Sequence, residues 1–193
     1  LSSLKDFIKA TPLVKPAIYL KSRFVRPRTQ NDESLVLRTL LSRFDIPKTF
    51  VEFGFGGWEF NCADLVSDWE GLLIDGDPYN ITIGEIILPP RITVRERWIT
   101  LETMDEIRRW CVGRDLGILS VDVDGNDYWF LEALIDLQPA IIIAEYNSTF
   151  GLRPVTVPYD PQFDYVAKHP SRYYHGASLT ALAHLAHKNG YSL

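Results

Sequence analysis

Acids recur at one kind of place in this chain, the end of a short apolar run. Phe50-Val51 leads into Glu52, Leu72-Leu73-Ile74 into Asp75 and Asp77, Ile118-Leu119-Ser120-Val121 into Asp122 and Asp124, and Ile141-Ile142-Ile143-Ala144 into Glu145. If these runs are strands of an open α/β sheet, their acids converge on the edge where such sheets bind ligands. Alternation along a strand predicts that Asp122 and Asp124 point to one face, as do Glu145 and Asn147 on the neighbouring element, so that all could meet around one centre. His175, in Tyr173-Tyr174-His175-Gly176-Ala177-Ser178, is a candidate base with a suitable ordinary pKa, against a capping or packing role. His184 and His187 lie three apart with no third ligand near in sequence, and read as an exposed helix face.

The first of these acids precedes three glycines, in Glu52-Phe53-Gly54-Phe55-Gly56-Gly57. Glycines at a strand-to-helix turn permit positive φ and close approach of a ligand to the backbone. A dinucleotide fingerprint needs a third glycine where this chain has Glu59, and that side chain opposes a pyrophosphate. Glu52 suits instead a cofactor bearing an ammonium and a sulfonium. A second acid some twenty residues on, Asp75 or Asp77, suits ribose hydroxyls, which need an acceptor. S-adenosylmethionine combines these features and carries no phosphate.

The elements that must position these residues follow in chain order. Residues 1–31 form a basic leader interrupted by Pro12, Pro16 and Pro27, read as a solvated segment or as an arm that touches an acidic partner. Asn31-Asp32 offers an N-cap for a helix with Leu35, Val36, Leu40, Leu41 and Phe44 at helical spacing. A helix is predicted over 58–68, a buried strand over 71–75, and a helix from Pro78. Residues 91–98 carry Arg91, Thr93, Arg95 and Arg97 in alternation, a polar face that places them at a sheet edge. Residues 103–111 read as a helix with Thr103 and Glu106 at capping-box spacing. Strands over 117–124 and 139–145 flank a helix over 126–137. Apolar strands separated by helices call for a parallel sheet covered on both faces, so the fold class is α/β, a doubly wound, mostly parallel Rossmann-like sheet. A long loop over 146–171 precedes a helix over 176–188, and 191–193 begins what reads as a further strand.

At 193 residues and 46% apolar, the chain fits one domain, here 32–193 after the leader. The net charge of −5 argues against general nucleic-acid binding. Cys62 and Cys111, far apart and without metal-ligand spacing, fit a reducing, cytoplasmic setting. No apolar run is long enough to span a membrane. A start at Leu1 without a signal-like region suggests a cropped N-terminus.

The glycine stretch is similar to the first motif of class I S-adenosylmethionine-dependent methyltransferases, and Leu73-Ile74-Asp75-Gly76-Asp77-Pro78 resembles their second-strand ribose site. Ser120-Val121-Asp122-Val123-Asp124-Gly125-Asn126-Asp127 resembles the signature of the FkbM-like branch, with aspartates in place of its glutamates and Ser120 in place of its lysine. The resemblance, over about residues 32–193, implies the cofactor's methionine end against Glu52, Gly54, Gly56 and Gly57, its ribose on Asp75 or Asp77, and adenine bordered by Trp98. It further implies methyl transfer to a hydroxyl of a small acceptor, a sugar or secondary metabolite, with Asp122, Asp124 and His175 as candidate catalytic residues. The family's seven-stranded sheet ends in a hairpin, and the resemblance implies that this chain ends where that hairpin would begin. Some O-methyltransferases of this fold hold magnesium, and Asp122, Glu145 and Asn147 resemble that ligand set. The competing reading of those acids is that Asp122 binds backbone amides at the next helix's start and Glu145 orders the long loop. Two other readings remain: an Asp-x-Asp phosphatase or glycosyltransferase, and a non-catalytic Rossmann-like binding module.

Overall fold

The computed structural model describes residues 13–193. Strands β1 (Thr49–Phe53), β2 (Glu70–Asp75), β3 (Ile92–Glu96), β4 (Ile118–Val121) and β5 (Ile141–Ala144) form one sheet in the order β3-β2-β1-β4-β5, with every pairing parallel. The helices are α1 (Val14–Ser22), α2 (Glu33–Leu41), α3 (Pro78–Ile87), α4 (Met104–Cys111), α5 (Asp127–Leu134), α6 (Tyr165–Lys168) and α7 (Leu179–Lys188). The class is α/β, Rossmann-like and doubly wound, as the strand pattern predicts. Among the described residues no helix is long and apolar enough to cross a membrane.

Residue parity along the strands sorts the core into two layers. Val51, Phe53, Leu72, Ile74, Leu119 and Val121 pack with Ile107 of α4, Phe130 and Leu131 of α5, and Leu182 and Leu185 of α7. Phe50, Leu73 and Ile118 face the other way, onto Leu37 of α2, Ile81 of α3, and Phe55, Phe60 and Trp69. Phe50 and Phe53 are fully buried on opposite faces, and each such side chain stabilises the fold by roughly 1.5–3 kcal/mol.

Several expectations need correction. The proline-broken leader contains α1, because Pro16 occupies the first helical turn, where its missing N–H has no partner to lose. Residues 1–12 of that leader lie outside the described residues. In α2 the buried residue is Leu37, with Leu41 one turn on partly buried, whereas Leu35, Val36 and the following Phe44 are exposed. The helix predicted over 58–68 is replaced by turns and a short 3-10 segment, Ala63–Leu65. The buried Glu52 carboxylate takes the amides of Asn61 and Cys62, and Arg28 forms a bridge with Glu59, so this stretch is held by partners other than its own helical ladder. The capping box lies at Thr100 and Thr103, one turn earlier than predicted, while Glu106 pairs with Arg97. Residues 191–193 form no strand; the Tyr191 hydroxyl donates to the Pro139 carbonyl.

Candidate functional site

The chain winds outward from β1 through β2 to β3, then crosses to β4 and β5, so strand order reverses between β1 and β4. At that reversal the loops leaving the two strands diverge and leave a crevice. Here it is a cavity of about 330 Å³ whose lining includes Gly54, Asp75, Trp98, Asp122, Asp124 and Glu145. Its floor is the ends of β1, β2 and β4, and its roof comes from the long loop through Phe163.

Gly54 is where β1 and β4 interlock. Its φ is +76°, and a Cβ there would lie 1.6 Å from the Asp122 carbonyl oxygen, so both conformation and space require glycine. Gly57, at φ +65°, abuts Ile83 of α3, and the Gly56 amide donates to the Glu59 carbonyl at 2.9 Å. Gly56 and Gly57 shape the turn but do not line the cavity. Nor does Glu52, whose two oxygens accept from the Asn61 and Cys62 amides at 2.6 and 2.9 Å. Burial pushes its carboxyl up to about 7 despite those donors.

On β2, Asp75 reaches the cavity, and its Oδ1 accepts from the Asp77 amide at 2.6 Å and from Asn80 Nδ2 at 3.2 Å. Asp77 instead N-caps α3, accepting from the Tyr79 amide at 2.8 Å with Pro78 in the first turn. Trp98 lines the cavity, and its indole N–H donates to the Pro161 carbonyl at 2.8 Å. A second tether joins the roof to the start of α5: Asn126 Nδ2 donates to the Asp160 carbonyl at 2.8 Å, and its Oδ1 accepts from the Asp160 amide.

The acids do converge, although not by strand alternation. β4 ends at Val121, and Asp124 turns through a left-handed backbone, φ +54°. Carboxylate oxygens of Asp122, Asp127 and Glu145 lie within 4.8 Å of one another, and so do ligand atoms of Asp124, Glu145 and His175. Burial, reinforced by the charges of Asp127, Asp124 and Glu33, pushes Asp122 up to about 7. Burial, with Asp122, Asp127 and Asp124, pushes Glu145 up to about 8. Asp127 is also raised by burial, although the Val123 and Gly125 amides donate to it and pull the other way. Such a cluster holds fewer charges than carboxyls at neutral pH, and a cluster member can take up or release a proton there.

His175 joins this group from the far end of the long loop; its Nδ1 is buried without a hydrogen-bond partner, and its ring leans on Tyr165 at 5.7 Å. Asn147 serves the loop instead: its Nδ2 donates to the carbonyls of Tyr173 and His175, and its Oδ1 accepts from the Thr149 amide and hydroxyl. All four of its hydrogen-bonding positions are thus engaged. Asp127 and His175, not Asn147, accompany Glu145. The Asp122 carboxylate lies in the acid group rather than on amides at the start of α5, where the Asp127 side chain does that work. His184 and His187 are exposed on α7, as their isolation predicts.

Sequence reasoning gave no role to Gln30, Phe130 or Arg97 in this lining. Arg97 could have been suspected, since it follows the edge strand directly. Gln30 had no signal, because it comes from the leader. Comparison with family models, with curated proteins and with solved structures finds no match to this chain.

Proposed function

We propose that this chain is an S-adenosylmethionine-dependent methyltransferase acting on a hydroxyl of a small acceptor, such as a sugar or secondary metabolite. One observation carries the reading: the cavity at the strand-order reversal is lined by Asp75, Asp122, Asp124 and Glu145, while the one lining cation among the described residues, Arg97, is paired with Glu106. That surplus of carboxylates disfavours phosphate and favours a ligand with positive charge. Its volume also falls in the range of small-ligand sites.

Bound there, the cofactor would supply a methyl group already activated by its sulfonium. The chain's own work is then alignment and proton handling. Asp75, oriented by the Asp77 amide and Asn80, would accept from ribose hydroxyls. The Trp98 ring would border the adenine, and Gly54 would let the backbone come close. Asp122, raised toward neutrality, would take the acceptor's proton, with Glu145 beside it and Asp124 and His175 on the acceptor side. Asp122, Asp127 and Glu145 also give magnesium hard oxygen donors, and a metal held there would orient the acceptor oxygen and lower its pKa. The buried free thiols Cys62 and Cys111 fit the cytoplasm.

Calorimetric titration of S-adenosylhomocysteine should give binding in the micromolar range, weakened at least about tenfold by Asp75→Ala, as expected for loss of a charged acceptor. No heat from a folded sample removes the methyltransferase reading.

A further inference from the structure

The leader helix carries a surface that the cavity does not use. Ile18 is the buried residue of α1, 3% exposed, and anchors the helix to the domain. Leu13 is the N-cap of α1, Leu20 lies in its last turn and Phe24 follows its C-cap Arg23; at spacings of seven and four they continue one stripe, roughly opposite Ile18. They are 71%, 60% and 82% exposed. Three large apolar side chains in line, all facing water, form an uncovered surface of the kind that marks an interaction site.

Charge says what the surface fits. Residues 13–31 contain Lys15, Lys21, Arg23, Arg26 and Arg28 and none of the chain's 25 acids, although the whole chain is net −5. Lys21 lies over the Trp58 ring at 4.2 Å, and Arg28 pairs with Glu59. Lys15, Arg23 and Arg26 are exposed, and none is ion-paired to another described residue. On the helical projection Arg23 and Lys21 fall on either side of the apolar stripe.

From this arrangement we propose that α1 and the turn after it dock the protein on the surface of an anionic lipid bilayer. The stripe enters the boundary between headgroups and acyl chains, and the flanking cations meet acidic headgroups. Nucleic acid is a poorer fit, because two of the three stripe residues are leucines, which offer no ring for base stacking. The helix lies on the surface and does not span it, in keeping with its length of nine residues.

The test is flotation of the full chain with phosphatidylcholine vesicles, with and without phosphatidylserine, and it does not depend on the methyltransferase reading. Binding should require phosphatidylserine and fall with salt. Arg23→Gln/Arg26→Gln should weaken it at least about tenfold, whereas Lys15→Gln, on the Ile18 side of the helix, should have the smaller effect. Leu20→Ser/Phe24→Ser should weaken it at least about tenfold while leaving thermal unfolding unchanged, since both side chains are exposed. The proposal is overturned if neither vesicle is bound, if both are bound equally, or if a single-stranded oligonucleotide binds more tightly than anionic vesicles. It is also overturned if light scattering shows a dimer that Leu20→Ser/Phe24→Ser dissolves, which would assign the stripe to a second copy of the chain.

Discussion

Glu145 lies where ionisation is opposed from several sides, by burial and by the charges of Asp122, Asp127 and Asp124. Its folded pKa of about 8 exceeds the ordinary 4.5, so the native state keeps a proton that the unfolded chain releases. By linkage its contribution to stability is complete below about pH 4.5 and is lost as pH rises through 8. Asp122 acts in the same direction, between 3.8 and about 7. Glu145→Gln should therefore stabilise the protein above pH 8, on the order of 1–2 kcal/mol after allowing for the solvent that reaches this half-buried group. Melting temperatures across pH should show a flatter decline in the variant. Equal slopes in the two proteins would mean that Glu145 is not the strained group. The clustering of Asp122, Asp124 and Glu145 was legible in sequence, because each follows an apolar run; the place of Asp127 was not, because it opens the helix after the turn. Nor was the partner of Glu145, because Asn147 and His175 are separated by a loop whose path depends on tertiary hydrogen bonds.

Between elements, the contact of β1 with β4 is the most demanding. Gly54→Ala must place a methyl group into the Asp122 carbonyl and hold a positive φ, so it should destabilise the fold by more than about 3 kcal/mol. Chemical denaturation reads this directly, and a loss below about 1 kcal/mol would mean that the two turns are free to part. It follows that Asp75, not Gly54, is the informative position for testing the cofactor. The strands were readable because each is a short apolar run ended by an acid or turn. The missing helix over 58–68 was not, because its amides are taken by Glu52, a carboxylate whose direction no local pattern reveals. In α2 the helix was read correctly, but of its periodic residues Leu41 packs on the core while Leu35 and Val36 face away from it and Phe44 lies beyond the helix end. Leu35 and Val36 continue the pattern without any neighbour to cover them.

Over the whole molecule, two apolar layers on a five-stranded sheet account for the fold, and the alternation of Phe50 and Phe53 already announces both layers. What could not be read was the roof, since the long loop is fastened by Trp98 to Pro161 and Asn126 to Asp160, pairings across more than thirty positions. The first of these fastenings also gives the protein an optical handle. Of its five tryptophans, Trp69 is buried at 6% exposure, whereas Trp98 is 61% exposed at the cavity wall with its N–H held by the roof. An indole so placed emits as a solvated fluorophore, and a ligand that covers its ring should shift the emission toward the blue without moving the loop. Trp98→Phe should abolish that shift while preserving the calorimetric heat in sign. A shift that survives the substitution would assign the signal to one of the other four indoles and the ligand to another part of the surface.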